Sequence, residues 1–440
     1  MSVYMLRPRF GSAPSPSRAR HGTEMPPVDL DAADQAQAAA ANELETKGAG
    51  RVEETAQAAG RLHPLAAKYF DADARLYAMV ARMFVVGKPH AGGKWNEEWA
   101  DTLAKGVGGI IIAKENYGFS PRKLWNLTSA LKNHANRSLA IFADQEGGWR
   151  GKYRHGQAFR EGFTPLPKMG TVGNKLKNDS FLQHQVAKEV SATKFRELRA
   201  VNIDLNFDPV MDVNSNPSNP VIGDRAISGN VSRVASLGAA MISAGQAQSV
   251  GAVAKHFPGH GDTTTDSHLE LPQVHKSLDA LWKVELKPFA AAVRANVSGI
   301  MTAHILYPKV DPGKPATMSS VFIHDILRTQ LGYDGIVFSD SLDMKAVMNN
   351  QWSVGDVIVQ AVNAGVDMLV TSNKRTDNFE DRAIVALMDA VKARSVPQER
   401  IMEANRRIDR LFAGYVRPAT ERFEFHPDLN KKWFVPPPTE

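Results

Sequence analysis

Val250-Gly251-Ala252-Val253-Ala254 runs directly into Lys255-His256-Phe257-Pro258-Gly259-His260-Gly261-Asp262-Thr263-Thr264-Thr265-Asp266-Ser267-His268. The apolar, β-branched start reads as a buried strand, and the Lys, His and Asp residues crowded after it are costly to bury. At the carboxyl end of a strand, such a cluster reads instead as the lip of a pocket, where barrel enzymes collect catalytic groups. Pro258, Gly259 and Gly261 exclude a helix through the middle of the stretch. His256 and His260, four apart, therefore do not form the two-imidazole face that a helix would offer a metal. Asp266 and His268 are two apart, so in an extended loop they point the same way. A carboxylate beside an imidazole fixes its tautomer and favours its charged form, as a proton-transferring His requires.

The same pattern recurs along the chain. Short apolar segments at 83–87, 109–113, 139–144, 203–208, 250–256, 299–304, 335–340 and 366–371 each end in polar or small residues. Between them, 181–201, 231–248, 278–296 and 321–331 carry apolar spacings of three and four and are expected to be helices. Strands alternating with helices over this length predict an α/β fold with a parallel sheet, and eight such units predict a closed (β/α)8 barrel of the TIM type. An open doubly wound sheet is the other arrangement, but no Gly-x-Gly-x-x-Gly turn follows the first strand. Asp144, Lys255, His256, His304 and Asp340 all fall at or just past strand ends, so the barrel would bring them to one mouth.

These residues carry a resemblance. Lys255-His256-Phe257-Pro258-Gly259-His260-Gly261 followed by Asp266-Ser267-His268, together with Asp144-Gln145-Glu146-Gly147-Gly148, Asn219-Pro220-Val221-Ile222-Gly223-Asp224-Arg225 and Phe338-Ser339-Asp340-Ser341, resembles glycoside hydrolase family 3. The likeness is to its β-N-acetylglucosaminidase branch, which includes cytoplasmic peptidoglycan-recycling enzymes. It covers about residues 75 to 415, with the motifs in the family's order.

The resemblance implies a retaining hydrolase in which Asp340 is the nucleophile, His268 the acid/base and Asp266 its support. Asp144, Lys152, Arg225, Lys255 and His256 are implied as sugar-binding residues. An acid/base on a His departs from the usual carboxylate pair, while the double displacement is the same. Larger relatives add an α/β domain that supplies a Glu; nothing after Pro418 is long enough for one, so a single catalytic domain is expected to supply its own acid/base. The third-strand loop differs from the family, with Trp149 where an Arg is usual; packing is preferred over sugar stacking for it. Asp208 and Asp212 are expected to fix the loop after the fourth strand.

Residues 63–418 are thus expected to form the barrel. Residues 1–62 read as a disordered or loosely helical extension, Arg-, Ser- and Pro-rich at the start, with no apolar core of signal-peptide length. Residues 419–440 read as a tail lying on the barrel. No apolar run approaches a membrane span. The resemblance implies a cytoplasmic location, with organelle import or non-standard export as the alternatives. The chain contains no cysteine, which excludes disulfides and thiolate metal sites. Its net charge of +6 is interspersed, giving little support for nucleic-acid binding. The expected ligand is a small β-linked oligosaccharide or muropeptide, and no cofactor or metal is called for. Three other readings stand beside this one. They are a phosphorylase of the same family, a non-catalytic glycan-binding barrel, and a metal-dependent hydrolase using His256, His260, Asp262 and His268.

Overall fold

In a computed structural model, the described residues are 73–118, 120–148, 158–176, 178–348, 351–372 and 379–434. The expected extension 1–62, Trp149 and Lys152 lie outside them. Eight strands form one parallel sheet: β1 (Phe84–Gly87), β2 (Gly109–Ile112), β3 (Ala140–Ala143), β4 (Leu205–Asn206), β5 (Gly251–Phe257), β6 (Gly299–Thr302), β9 (Ile336–Phe338) and β10 (Leu369–Thr371). The order is β10-β1-β2-β3-β4-β5-β6-β9. A parallel bridge between Phe338 and Met368 joins the two outer strands, with Ser339 N–H donating to Met368 O at 3.0 Å. All eight expected strands occur, and the ring closes as a (β/α)8 barrel.

Phe142 of β3, Phe207 just past β4 and Phe338 of β9 meet with ring centroids 5.3 to 5.6 Å apart. Because β9 is not a neighbour of β3 or β4 in the ring, these contacts cross the barrel interior and plug it. Room for the rings comes from missing side chains on the neighbouring strands. A Cβ on Gly109 would lie 2.4 Å from Phe142, and one on Gly299 would lie 2.5 Å from Phe338.

The helices follow their caps. Asp179 accepts from Leu182 N–H to start Ser180–Ala200, and Asn230 accepts from Arg233 N–H to start Val231–Gln246. The expected single helix over 278–296 is two, Leu278–Lys283 and Leu286–Arg294. Pro288 has no N–H to continue the first helix but is tolerated in the first turn of the second. The helix Val321–Gln330 is wound with π-type bonds. An unexpected hairpin of β7 (Leu306–Tyr307) and β8 (Asp311–Pro315) follows β6. The chain after the last helix, Gln398–Tyr415, lies on the helix Pro121–His134 and on the loop at Pro165, where Trp125 Nε1 donates to Thr420 Oγ1 at 2.7 Å and Trp433 Nε1 to Pro165 O at 2.6 Å.

Candidate active site

The loops after β3, β4, β5 and β9 enclose a cavity of about 180 Å³ at the carboxyl ends of the strands. Asp144, Arg225, Lys255, His256, His268 and Asp340 line it. The structure thus brings these expected residues to one cavity, with Asp266 standing behind His268, while His304, also expected at the mouth, is buried and does not line it.

A buried charge array forms one wall. Lys255 Nζ lies 2.5 Å from Asp144 Oδ1 and 2.8 Å from Glu146 Oε1. Arg225 grips Glu146 through Nε at 2.8 Å and Nη2 at 2.7 Å, the forked geometry that a guanidinium makes with a carboxylate. Burial pushes the Glu146 carboxyl up, but Arg225 and Lys255 outweigh it and hold it well below the usual carboxylate range. Burial likewise opposes charge on Lys255, and Asp144 and Glu146 overcome it, leaving the ammonium more basic than usual. Asp144 keeps 43% of its side chain exposed, so it can also face a ligand.

Beneath this array, Lys194 in the helix Ser180–Ala200 lies 2.6 Å from Asp208 and donates to Glu146 O at 2.9 Å. Burial raises the Asp208 carboxyl, against the pull of Lys194, to about 6.

Asp212 fixes the segment that opened the sequence reading. One of its oxygens accepts from the backbone N–H of His256 at 3.1 Å and of His260 at 2.6 Å, and the other accepts from His256 Nδ1 at 2.7 Å. The chain must then pass close to its neighbour, since a Cβ on Gly261 would lie 1.8 Å from Val213 O. His260 is wholly used within the loop: Nδ1 meets Thr263 Oγ1 and Nε2 meets Ser267 Oγ, both at 3.0 Å. Burial and the neighbouring His256 lower its pKa to about 4, so it stays neutral. No cluster of three metal-ligating side chains occurs among the described residues.

His268 Nδ1 donates to Asp266 Oδ1 at 2.8 Å, and the same oxygen accepts His268 N–H at 2.8 Å. The pair therefore forms within one turn of loop and leaves Nε2 as the ring's outer nitrogen. Across the cavity, Asp340 follows β9. Burial raises its carboxyl, but His256, His304, the Ser341 N–H and His268 together outweigh this and hold it at about 2. Asp340 is therefore an anion at any physiological pH. His304 is buried behind it, with Nε2 donating to Ser341 O at 3.0 Å.

Three functional contacts were not assigned from sequence. Glu146 stood inside a quoted motif without a role, although its place two residues after Asp144 puts it on the same side of an extended segment. Lys194 carried no signal, being one Lys in a long helix. Asp212 was expected to fix its own loop, and its partners prove to be His256 and His260.

A family model described as the glycosyl hydrolase family 3 N terminal domain matches residues 74–411. A protein from Nitrosomonas eutropha named beta-hexosaminidase is 40% identical over 269 residues, which is 61% of this chain and 74% of that one. The fold is similar to that of a family 3 β-N-acetylglucosaminidase from Paenibacillus, with a TM-score of 0.69 and 35% identity over 77% of this chain and 62% of that one. It is also similar to NagZ from Neisseria gonorrhoeae, solved with N-trifluoroacetyl-D-glucosamine, with a TM-score of 0.59 and 28% identity over 75% of this chain and 97% of that one.

Proposed function

The chain belongs to glycoside hydrolase family 3, and from that premise we propose that it is a retaining exo-β-N-acetylglucosaminidase acting on muropeptides or chitooligosaccharides. The observation that carries the reading is one small cavity with an anionic Asp340 on one side and the Asp266–His268 pair on the other.

Asp340 attacks the anomeric carbon as the glycosidic C–O bond breaks, and His268 Nε2 gives its proton to the leaving oxygen. The ester between sugar and Asp340 is then opened by water. His268, now neutral, takes a proton from that water, the new C–O bond forms, and Asp340 leaves as a carboxylate. Asp266 holds Nδ1–H throughout and stabilises the imidazolium state. Asp144, Lys255, His256 and Arg225 bind the sugar hydroxyls and acetamido carbonyl through charge-assisted hydrogen bonds. Lys152 is proposed to extend this set.

Substrate choice follows from those donors. N-acetylglucosaminide should exceed plain glucoside in kcat/KM by at least about a hundredfold, because the glucoside leaves the site's polar groups unpaired. The deciding measurement is turnover of an aryl N-acetyl-β-glucosaminide, with products identified in the presence and absence of phosphate. Equal rates on both sugars would remove the N-acetyl reading, and a glycosyl phosphate product would make the enzyme a phosphorylase. A muropeptide substrate goes with a cytoplasmic site of action, which cell fractionation would test. No helix among the described residues is long and apolar enough to cross a membrane.

A further inference from the structure

The turn after Asp340 has more fixed partners than a strand end requires. Ser341 uses all of its polar atoms. Its N–H donates to Asp340 Oδ1 at 2.7 Å, and its carbonyl accepts from His304 Nε2 at 3.0 Å. Its hydroxyl donates to Asp343 Oδ1 at 2.6 Å while accepting from Ser372 N–H at 2.8 Å. Asp343 is the anchor of this arrangement. It is 8% exposed, does not line the cavity, and also accepts from Ser372 Oγ at 2.9 Å and Ser372 N–H at 3.2 Å through the same Oδ1. It therefore ties the turn after β9 to the end of β10, at the seam that closes the barrel.

We propose that Asp343 is a positioning residue that, acting through the Ser341 hydroxyl, holds the Ser341 N–H on one oxygen of Asp340 and leaves the other aimed at the anomeric carbon. The proposal rests on the reading of Asp340 as nucleophile.

Three features make this more than a packing contact. The bonds form a continuous path from Asp343 to Ser341 to Asp340. The Ser372 N–H and Oγ bonds to Ser341 and Asp343 carry the path across the seam to the end of β10. The path also reaches His304, whose ring is fixed by the Ser341 carbonyl on one side and Thr317 Oγ1 at 2.9 Å on the other. A carboxylate fixed by one backbone donor keeps a defined attack direction. Without the anchor, the turn can rotate and the attack geometry blurs, and a displacement of about 1 Å can cost about a hundredfold in rate. The bonds of the path run among Asp343, Ser341, Ser372, Asp340 and His304 and do not include Lys255, Glu146 or Arg225, although Ser341 lines the same cavity, so binding and attack should separate.

The test uses the full chain and a 5-fluorinated N-acetylglucosaminyl fluoride, which would accumulate the glycosyl-enzyme. Asp343→Ala should lower the trapping rate constant by about ten- to a hundredfold. The dissociation constant of a competitive N-acetylglucosamine-type inhibitor should stay within about twofold of wild type, since the binding wall is untouched. Asp343→Asn keeps Oδ1, the acceptor of every bond described above, and should regain most of the lost rate. Ser341→Ala should match Asp343→Ala, and the double variant should be no slower than either single one, because both break one path. If Asp343→Ala does not fold, Ser341→Ala with Asp343→Asn still decides the matter. Unchanged trapping in Ser341→Ala, additive losses in the double variant, or equal losses in trapping and inhibitor binding would overturn the proposal. Peptide mapping of the trapped wild-type enzyme separates the two failures. Label on Asp340 with any of those results overturns the anchor alone, and label elsewhere overturns the nucleophile on which it rests.

Discussion

The two walls of the cavity are built on different terms. On the sugar-binding and nucleophile side, Glu146, Lys255 and Asp340 stand at or next to strand ends, and Arg225 on the loop after β4 is clamped to Glu146 by two bonds. On the acid/base side, His268 and Asp266 sit on a loop with side chains 36% and 25% exposed, followed by Leu269 at 66%. That loop is held by His260 Nε2 meeting Ser267 Oγ at 3.0 Å, by Asn216 and Asn219 Nδ2 donating to Thr263 O at 3.0 and 3.1 Å, and by Ala346 N–H donating to Ser267 O at 3.3 Å. A nucleophile and its binding array gain from rigidity, because groups fixed before the reaction need no reorganisation during it. An acid that must meet the leaving oxygen of a varied aglycone gains from a loop that can open. The division predicts that substitutions in the buried charge array of the first wall affect both fold and chemistry, while those at its half-buried nucleophile and on the second wall affect chemistry alone.

The largest effect should come from Asp340→Ala, lowering kcat by about 10⁴-fold or more, the scale for loss of a nucleophile. Circular dichroism should show a melting temperature within about 2 °C of wild type, since a partly exposed strand-end carboxylate contributes little to the core. Full activity in this variant would break the assignment.

Glu146→Gln should damage both fold and binding. It leaves Lys255 and Arg225 buried without their shared carboxylate, which costs about 3–5 kcal/mol, and it should raise KM. The pH dependence follows from the depressed carboxyl of Glu146. Its stabilisation is complete above the unfolded carboxylate value of about 4.3 and is lost as pH falls toward the folded value. Urea unfolding should therefore show the widest gap between wild type and variant at pH 7, narrowing below about pH 4. A gap independent of pH would mean that the array contributes shape and not charge.

His268→Ala should come next, and its size should depend on the substrate. Loss of a general acid costs about 10²- to 10⁴-fold where the leaving oxygen needs a proton, as in a chitooligosaccharide. A dinitrophenyl N-acetylglucosaminide, whose leaving group departs unprotonated, should lose far less in its first step. Uniform loss across leaving groups would remove His268 from the acid's role. Stability should hold, in contrast to Glu146→Gln, because the side chain is on the exposed loop.

The barrel was legible because each of its strands is a short apolar run ending in polar or small residues, and no long-range information is needed to see that. Asp266 and His268 were legible for the same reason: the pair is local, two residues apart. The break at Val284–Glu285 could be read only with attention to Pro288, whose effect falls a turn before it. Glu146, Lys194 and Asp343 were harder. Each acts through partners distant in sequence: Glu146 through Arg225 and Lys255, Lys194 through Asp208, Asp343 through Ser372. Charge at such positions looks like ordinary surface charge until the fold buries it.

Asp266→Asn should give the smallest effect, and it tests whether the exposed wall works as a pair. The Asp266 carboxylate can only accept, so it keeps the proton on His268 Nδ1 and directs Nε2 toward the leaving oxygen. An Asn amide can accept or donate, so it weakens that preference without removing the ring. It also takes away the negative charge that favours the imidazolium. A loss of about tenfold in kcat is expected on substrates with poor leaving groups, smaller than for His268→Ala because the acid itself remains. Trapping by the fluorinated sugar fluoride should barely change, because fluoride departs with little protonation. A loss in Asp266→Asn equal to that of His268→Ala on every leaving group would show that Asp266 merely holds the loop in place, and the two walls would then differ in exposure alone.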